Sequence, residues 1–114
     1  MAAGFERYLR HLAARQFAAV HVRRPVGGAA LGAAPPTIFV ANHTNWWDGF
    51  LAYLVGRSLG TTFHVLMEAK HLARYRFFLR VGALPLDRTS APRAYADLER
   101  ARGVLVPSAG LWVF

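Results

Sequence analysis

The chain has no cysteine, and this absence excludes disulfide bonds, thiolate metal sites and a cysteine nucleophile. It leaves the redox state of the compartment open. The chain also lacks a run of about 18 to 20 apolar residues, the length that a membrane-spanning helix needs. Its richest apolar stretch, residues 37–55, is interrupted by Asn42, His43, Asn45 and Asp48. Any contact with a membrane is therefore expected to be peripheral.

Acidic residues are scarce. The chain has 6 of them against 14 basic residues, which gives a formal net charge of +8 and a pI near 11.3. Lysine is almost absent as well, since Lys70 is the only one. This charge favours a polyanionic partner. Nucleic acid, an anionic lipid surface and a phosphorylated or CoA-like substrate all satisfy it equally, so the choice among them depends on motifs.

The chain divides into two parts, residues 1–36 and residues 37–114. In the first part, residues 3–22 have the apolar spacing of an amphipathic helix, at about 100° per residue, with basic residues on the other side. The apolar residues of this helix are Phe5, Tyr8, Leu9, Leu12, Phe17 and Val20. The helix either docks on a core or lies in a membrane interface. Residues 24–36, rich in Gly, Ala and Pro, are expected to be a connector.

The second part alternates strand-like and helix-like segments. Apolar and β-branched runs predict strands at residues 37–41, 63–67, 83–86 and 111–114, and helical patterns lie at residues 46–57, 71–80 and 92–102. Pro92 suits the first turn of the last helix. The alternation predicts an α/β fold with a layered, mostly parallel sheet flanked by helices. Because the sequence stops inside the last apolar run, we expect an incomplete sheet that leaves residues 111–114 exposed.

One segment combines an imidazole at a strand exit with a carboxylate in the first turn of the next helix. These are His43 and Asp48, and their spacing lets the two side chains meet. A histidine can accept a proton from a substrate hydroxyl near neutral pH, and a carboxylate bonded to its other nitrogen fixes the tautomer. No serine or cysteine nucleophile accompanies them, which favours direct attack by a substrate oxygen. The structural alternative is a helix N-cap formed by Asn45 with Asp48.

Two blocks in this order resemble a known family. Asn42, His43 and Asp48 form an Asn-His-x-x-x-x-Asp pattern, and Gly82 and Arg88 form a Gly-x-x-x-x-x-Arg pattern. Together they resemble the signature of the lysophosphatidic acid and glycerol-3-phosphate acyltransferase superfamily. The region between the blocks, which begins with Ala-Lys and continues to Phe-Phe, is also similar to the segment that links the two blocks in that family.

The resemblance implies six site residues. His43 and Asp48 would form the catalytic pair, and the substrate-binding residues would be Asn42, Lys70, Gly82 and Arg88. In the family, the arginine helps to hold the acceptor's phosphate. Arginine suits this role because its planar fork donates two parallel hydrogen bonds and stays charged. The alternative for Arg88 is a surface ion pair with Asp87 or Asp97.

The implied function is transfer of a fatty acyl group from acyl-CoA or acyl-carrier protein to a hydroxyl of a glycerolipid phosphate in phospholipid biosynthesis. The implied location is peripheral, at the cytoplasmic face of the cell membrane. The acyl donor is a co-substrate, and no cofactor or metal is implied. No nucleic-acid partner is expected, because no nucleic-acid motif accompanies the charge.

The family's third block, a Phe-Pro-Glu-Gly-type element, is missing after residues 111–114. We therefore expect no measurable acyl transfer by the 114 residues alone. The alternative function is an inactive fragment that only binds membrane surfaces through its basic residues.

The remaining aromatic, histidine and arginine residues have two interpretations each. Trp46 and Trp47 form either an acyl-binding wall or a core boundary. The other histidines lack metal-ligand spacing and are interpreted as surface or packing residues; they are His11, His21, His64 and His71. Three arginines near aromatic residues either grip phosphate groups or form a solvated basic face; they are Arg74, Arg76 and Arg80.

Overall fold

The computed structural model describes residues 2–22, 35–43 and 47–114. Over these ranges the elements are α1 (Ala2–Gln16), β1 (Thr37–Val40), α2 (Trp47–Ser58), β2 (Thr62–Glu68), α3 (Ala69–Arg74), a 3-10 helix (Arg76–Val81), β3 (Ala83–Leu86), α4 (Ala91–Arg102) and β4 (Ala109–Val113). The strands form one parallel sheet in the order β1-β4-β2-β3. This architecture confirms the predicted α/β fold with a parallel sheet, flanking helices and an N-terminal helix.

A row of apolar side chains crosses one face of the sheet. The strand register aligns Phe39 with Trp112, Trp112 with Val65, and Val65 with Ala83. Residues aligned in neighbouring strands share a face, so these four side chains lie side by side. The rings of Phe39 and Trp112 stack 4.5 Å apart. This row is the floor of the hydrophobic core.

Helices α1 and α2 cover that floor. Tyr53 of α2 packs edge-on against Phe63 of β2, with ring centroids 5.2 Å apart. Phe5 of α1 packs edge-on against Tyr53 at the same distance, and Leu9 is only 2% exposed. The apolar side of α1 therefore docks on the core, as one of the two interpretations of this helix expected.

The expectation that residues 111–114 are exposed is wrong for most of the segment. β4 lies inside the sheet and pairs with both β1 and β2. Leu111 and Trp112 are only 5% and 9% exposed. The crossover through α4 returns the chain to the gap between β1 and β2 instead of adding a strand at an edge. Of the described strands, β1 and β3 lie at the edges of the sheet, and Val40 of β1 is 82% exposed.

Helix α1 is shorter than predicted, because it ends at Gln16 and residues 17–22 are not helical. The apolar spacing continues through Phe17 and Val20, but tertiary packing overrides it at this point. The ring of Phe17 packs edge-on against Trp47 of α2, with centroids 5.2 Å apart. Val20 and Val22 are β-branched, which lowers their preference for a helix.

The single helix predicted at residues 71–80 is two helices in the structure. α3 ends at Arg74, and the next residue, Tyr75, has a φ of −120° and a ψ of 66°, which are not helical. The following turn closes with a hydrogen bond from the N–H of Phe78 to the carbonyl of Tyr75, the spacing of a 3-10 helix. Gly82 ends this helix with a left-handed φ of +112°. The break brings the ring of Phe78 within 5.9 Å of Phe50 in α2.

Most of the predicted connector, residues 24–34, lies outside the described residues. Its last two residues, Pro35 and Pro36, are described and precede β1 without belonging to a helix or strand. Over the described ranges, no helix combines the length and the apolar character that crossing a bilayer requires.

Ser90 fixes the start of α4, and Pro92 lies in its first turn as predicted. The Oγ atom of Ser90 accepts a hydrogen bond from the N–H of Arg93 at 3.3 Å. We expect Ser90→Ala to lower the free energy of unfolding by about 1 kcal/mol, because it removes this cap. Urea denaturation measures the change. Ser90→Asp keeps an oxygen acceptor and should stay within about 0.5 kcal/mol of the parent; an equal loss from both variants would contradict the capping role.

Candidate active site

Four residues at or just after the ends of the strands meet at one edge of the sheet. His43 follows β1, Glu68 ends β2, Arg88 follows β3 and Phe114 follows β4. In a parallel sheet the carboxyl ends of all strands share an edge, and open α/β sheets bind ligands there. These four residues line one cavity. The sheet order therefore gathers residues that are far apart in the sequence.

His43 and Asp48 are in contact, as their spacing predicted. The Nδ1 atom of His43 lies 3.1 Å from Oδ2 of Asp48. Their side chains are 61% and 15% exposed. Asp48 lies in the first turn of α2, where the helix N-terminus favours a negative charge.

This contact determines which nitrogen of His43 is available for chemistry. An ionised carboxylate only accepts hydrogen bonds, so Nδ1 is the donor in this pair. In the neutral ring, Nε2 then keeps a lone pair. The arrangement therefore equips Nε2 to accept a proton, while Asp48 stabilises the imidazolium that results.

The cavity beside His43 has a volume of about 400 Å³, within the usual range for small-molecule sites. Its walls are mostly aromatic and aliphatic, formed by Phe5, Phe50, Tyr53, Phe63, Val65, Leu66, Met67, Tyr75, Phe78, Val81 and Phe114. The ring of Phe114 lies 5.4 Å from that of His43. The histidine, acidic and basic side chains in the walls are His43, Glu68, His71 and Arg88. The cavity can thus hold a hydrocarbon beside a proton acceptor and a cation.

Arg88 forms an ion pair in the structure, but with neither of the partners expected from the sequence. Its Nη2 atom donates to Oε1 of Glu68. Asp87 instead accepts from Arg93 at 3.4 Å, and Asp97 accepts from Arg100 at 2.8 Å. The hydrogen bond from Arg88 is the main reason that the pKa of the Glu68 carboxyl lies below its usual value.

The three other predicted substrate-binding residues lie outside the walls of this cavity. Asn42 is exposed beside His43. Lys70 lines a neighbouring cleft and lies 3.5 Å from Glu68. Gly82 has a backbone reason to be glycine, since a Cβ atom there would lie 2.2 Å from the carbonyl oxygen of Phe63.

Sequence reasoning missed three residues of the cavity. Glu68 could have been suspected, because it is an acidic residue at the end of a predicted strand. His71 was interpreted as a surface or packing residue; it is exposed, as that interpretation expected, and it also lines the cavity. Phe114 was assigned to an exposed strand, and only the insertion of β4 between β1 and β2 brings it to His43.

The remaining sequence hypotheses have mixed outcomes. Asn45 and Trp46 lie outside the described residues. The predicted N-cap at Asn45 and the contribution of Trp46 to an acyl-binding wall therefore lie outside them as well. The ring of Trp47 contacts Phe17 and Phe50, which fits a boundary residue. Five other residues are exposed, as surface interpretations expected; they are His11, His21, Arg74, Arg76 and Arg80. His64 is half-buried in β2, and this burial lowers its pKa.

No family model, no curated protein and no solved structure matches the chain. Of the predicted site residues, His43 and Arg88 line the same cavity, and Asp48 lies in hydrogen-bond contact with His43.

Proposed function

We propose that this protein transfers a fatty acyl group from a thioester donor, acyl-CoA or acyl-carrier protein, to a hydroxyl of a glycerolipid phosphate. The observation that carries the proposal is the contact of His43 with Asp48 at the mouth of an apolar cavity whose wall also contains Arg88. A proton acceptor, a hydrocarbon-sized space and a cation are the three components that this reaction requires.

His43 acts as the general base in the proposed reaction. Its Nε2 atom takes the proton of the acceptor hydroxyl while that oxygen attacks the thioester carbonyl carbon. The tetrahedral intermediate then expels the sulfur, which leaves as the thiol after it takes the proton from the imidazolium. The products are an ester and a free thiol. Asp48 holds the ring in the required tautomer and stabilises its transient positive charge.

The two kinds of wall would hold different parts of the substrates. The aromatic side of the cavity suits an acyl chain, because burial of apolar surface is favourable by about 25 cal/mol per Å². Arg88 suits the acceptor's phosphate, since charge-assisted hydrogen bonds to a guanidinium fork are strong and directional. This division places the reacting hydroxyl and carbonyl between the two sides, near His43.

A peripheral position at the cytoplasmic face of the cell membrane belongs to the same proposal. The acceptor and the product are membrane lipids, so the protein must reach their surface. The exposed basic residues of α1 would attract anionic headgroups; they are Arg7, Arg10, His11 and Arg15. Such attraction weakens as salt concentration rises.

The direct test is an assay with labelled acyl-CoA and lysophosphatidic acid. It is run on the 114 residues and, if their reading frame extends further, on its full product as well. Transfer that depends on His43 in either protein supports the proposal. If both bind anionic vesicles and neither makes product, a membrane-binding module without catalysis replaces the acyltransferase.

Arg88→Ala should weaken acceptor binding more than it slows the chemical step. A phosphate carries its charge in the ground state and in the transition state alike, so its partner contributes uniform binding. Loss of a hydrogen bond to a charged group corresponds to about a 10- to 100-fold rise in the acceptor's KM. Steady-state kinetics over a range of acceptor concentrations measures it, with Arg102→Ala as a control for lost surface charge. An unchanged KM would assign Arg88 a purely structural role.

A further inference from the structure

Glu68 and Arg88 stand in a wall shared by two cavities. On one side lies the apolar cavity with His43. On the other lies a polar cleft of about 540 Å³ between the ends of β2 and β3, whose lining also includes Lys70 and Arg93. The ion pair of Glu68 with Arg88 thus lies between the apolar cavity and the polar cleft.

The polar cleft has a cationic excess, because Lys70, Arg88 and Arg93 face only two carboxylates. One of these, Asp87, is committed to its own loop. Its Oδ1 atom accepts from the backbone N–H of Thr89 at 2.9 Å and from the hydroxyl of the same residue at 2.5 Å. An anion that enters the cleft therefore meets three cations, of which Arg93 is already paired with Asp87 at 3.4 Å. It also meets Glu68, whose carboxylate has no such backbone ties to the loop.

The ion pair of Glu68 is exposed and can be exchanged. The side chains of Arg88 and Lys70 are 66% and 77% exposed, and that of Glu68 is 32% exposed. Exposed ion pairs of this kind contribute little to stability. A phosphate monoester carries a charge of about −1.5 to −2 at neutral pH and offers the guanidinium two parallel hydrogen bonds. It therefore competes well with one carboxylate for Arg88.

Lys70 remains as a counter-ion of Glu68 after such an exchange. Its Nζ atom already lies 3.5 Å from Oε2 of Glu68, whereas Nη2 of Arg88 donates to Oε1. When Arg88 turns to a phosphate, Glu68 keeps this second counter-ion. The exchange thus leaves no carboxylate without a cation beside it.

We propose that Glu68 is a displaceable counter-ion of Arg88. Glu68 holds the guanidinium of Arg88 in the shared wall until a phosphate monoester binds in the polar cleft and takes its place. The proposal rests on the proposed function for the nature of the ligand and deepens it. Glu68 thereby lowers the affinity of the cleft for anions, so that weak anions do not occupy Arg88. It is a specificity-determining residue and takes no part in the proton transfer.

Titration of the 114-residue chain with inorganic phosphate, followed by NMR, tests this role without an acyl donor. Glu68→Gln should tighten phosphate binding by about two- to fivefold, the range that an exposed ion pair can contribute. The same gain is expected from Glu68→Ala. If only the glutamine variant behaves differently, the difference comes from the glutamine side chain and not from loss of the carboxylate. In an Arg88→Ala background the gain should vanish, because Glu68 acts through Arg88.

Glu99→Gln is the matched control, because Glu99 is also exposed and paired with an arginine, at 3.7 Å from Arg102. It removes the same charge away from the cleft. Weaker phosphate binding by Glu68→Gln, an equal gain from Glu99→Gln, or a gain that persists without Arg88 would each overturn the proposal. So would a lack of phosphate binding by parent and variant alike.

Glycerol 3-phosphate and CoA then identify the source of the phosphate. Stronger competition by the former assigns the cleft to the acyl acceptor, and stronger competition by the latter assigns it to the donor. Both results support a phosphate monoester in the cleft. If the coupling of Glu68 to Arg88 is found but neither protein transfers acyl groups, the proposed reaction fails while the anion site stands.

Discussion

Replacement of His43 by alanine, made in whichever protein shows acyl transfer in the direct test, is expected to lower the rate by about a hundred- to ten-thousand-fold, the usual contribution of a general base. The side chain is exposed and is not part of the core, so the fold should survive its removal. Single-turnover measurement of labelled acyl transfer isolates the chemical step, and the melting temperature of the variant checks the fold. His21→Ala is the control, since His21 is an exposed histidine outside α1 and outside the cavity walls.

Asp48→Asn separates chemistry from stability in the same experiment. An amide can still cap a helix, but it cannot stabilise the imidazolium as a carboxylate does. This variant should therefore lose part of the rate that His43→Ala loses, while removal of a charge favoured at the helix N-terminus lowers its melting temperature only slightly. If turnover by His43→Ala stays within threefold of the parent, His43 is not the base. If Asp48→Asn loses activity only because it unfolds, Asp48 serves as a cap.

Gly82→Ala should cause the largest loss of stability. A side chain at a φ of +112° is strained, and the added Cβ would lie 2.2 Å from the carbonyl oxygen of Phe63. Backbone strain and overpacking together cost about 2 to 6 kcal/mol. Since domains of this kind have about 5 to 15 kcal/mol of stability, the variant should lose a large share of it. Urea denaturation followed by circular dichroism measures the change.

Gly4→Ala is the matched control for this substitution. Gly4 lies in α1, and a Cβ atom there meets nothing within 4 Å. Alanine is favoured over glycine in a helix, so this variant should gain up to about 1 kcal/mol. A similar free energy of unfolding for the two variants would show that the close approach of Gly82 to β2 is relieved at little cost.

The fold was predictable wherever local signals agreed. β3 has the predicted bounds, 83–86, and α4 begins one residue before its predicted start. Pro92 and the turn residues around these segments mark the boundaries clearly. The end of α1 was not predictable, because the apolar spacing continues past Gln16. The chain leaves the helix where Phe17 packs against Trp47, and the sequence pattern does not contain that contact.

The candidate site also has one contact that the local sequence predicts and others that depend on the order of the strands. The contact of His43 with Asp48 spans five residues and follows from a strand exit and the first turn of a helix. The contact of Glu68 with Arg88 spans 20 residues and depends on the pairing of β2 with β3. Phe114 reaches His43 only because β4 enters the sheet between β1 and β2. Strand order is a long-range property that periodicity within one segment does not contain.

The interior position of β4 also governs how the chain can fold. Among the described strands, β1 has no partner except β4, although nearly 70 residues separate Val40 from Ala109. Pairs so distant in sequence form late, because closure of the long loop costs entropy before the contacts repay it. During synthesis, β2 and β3 can pair as soon as both are made, whereas β1 must wait with its apolar residues uncovered. This interval is when the nascent chain is most exposed to aggregation and to chaperones.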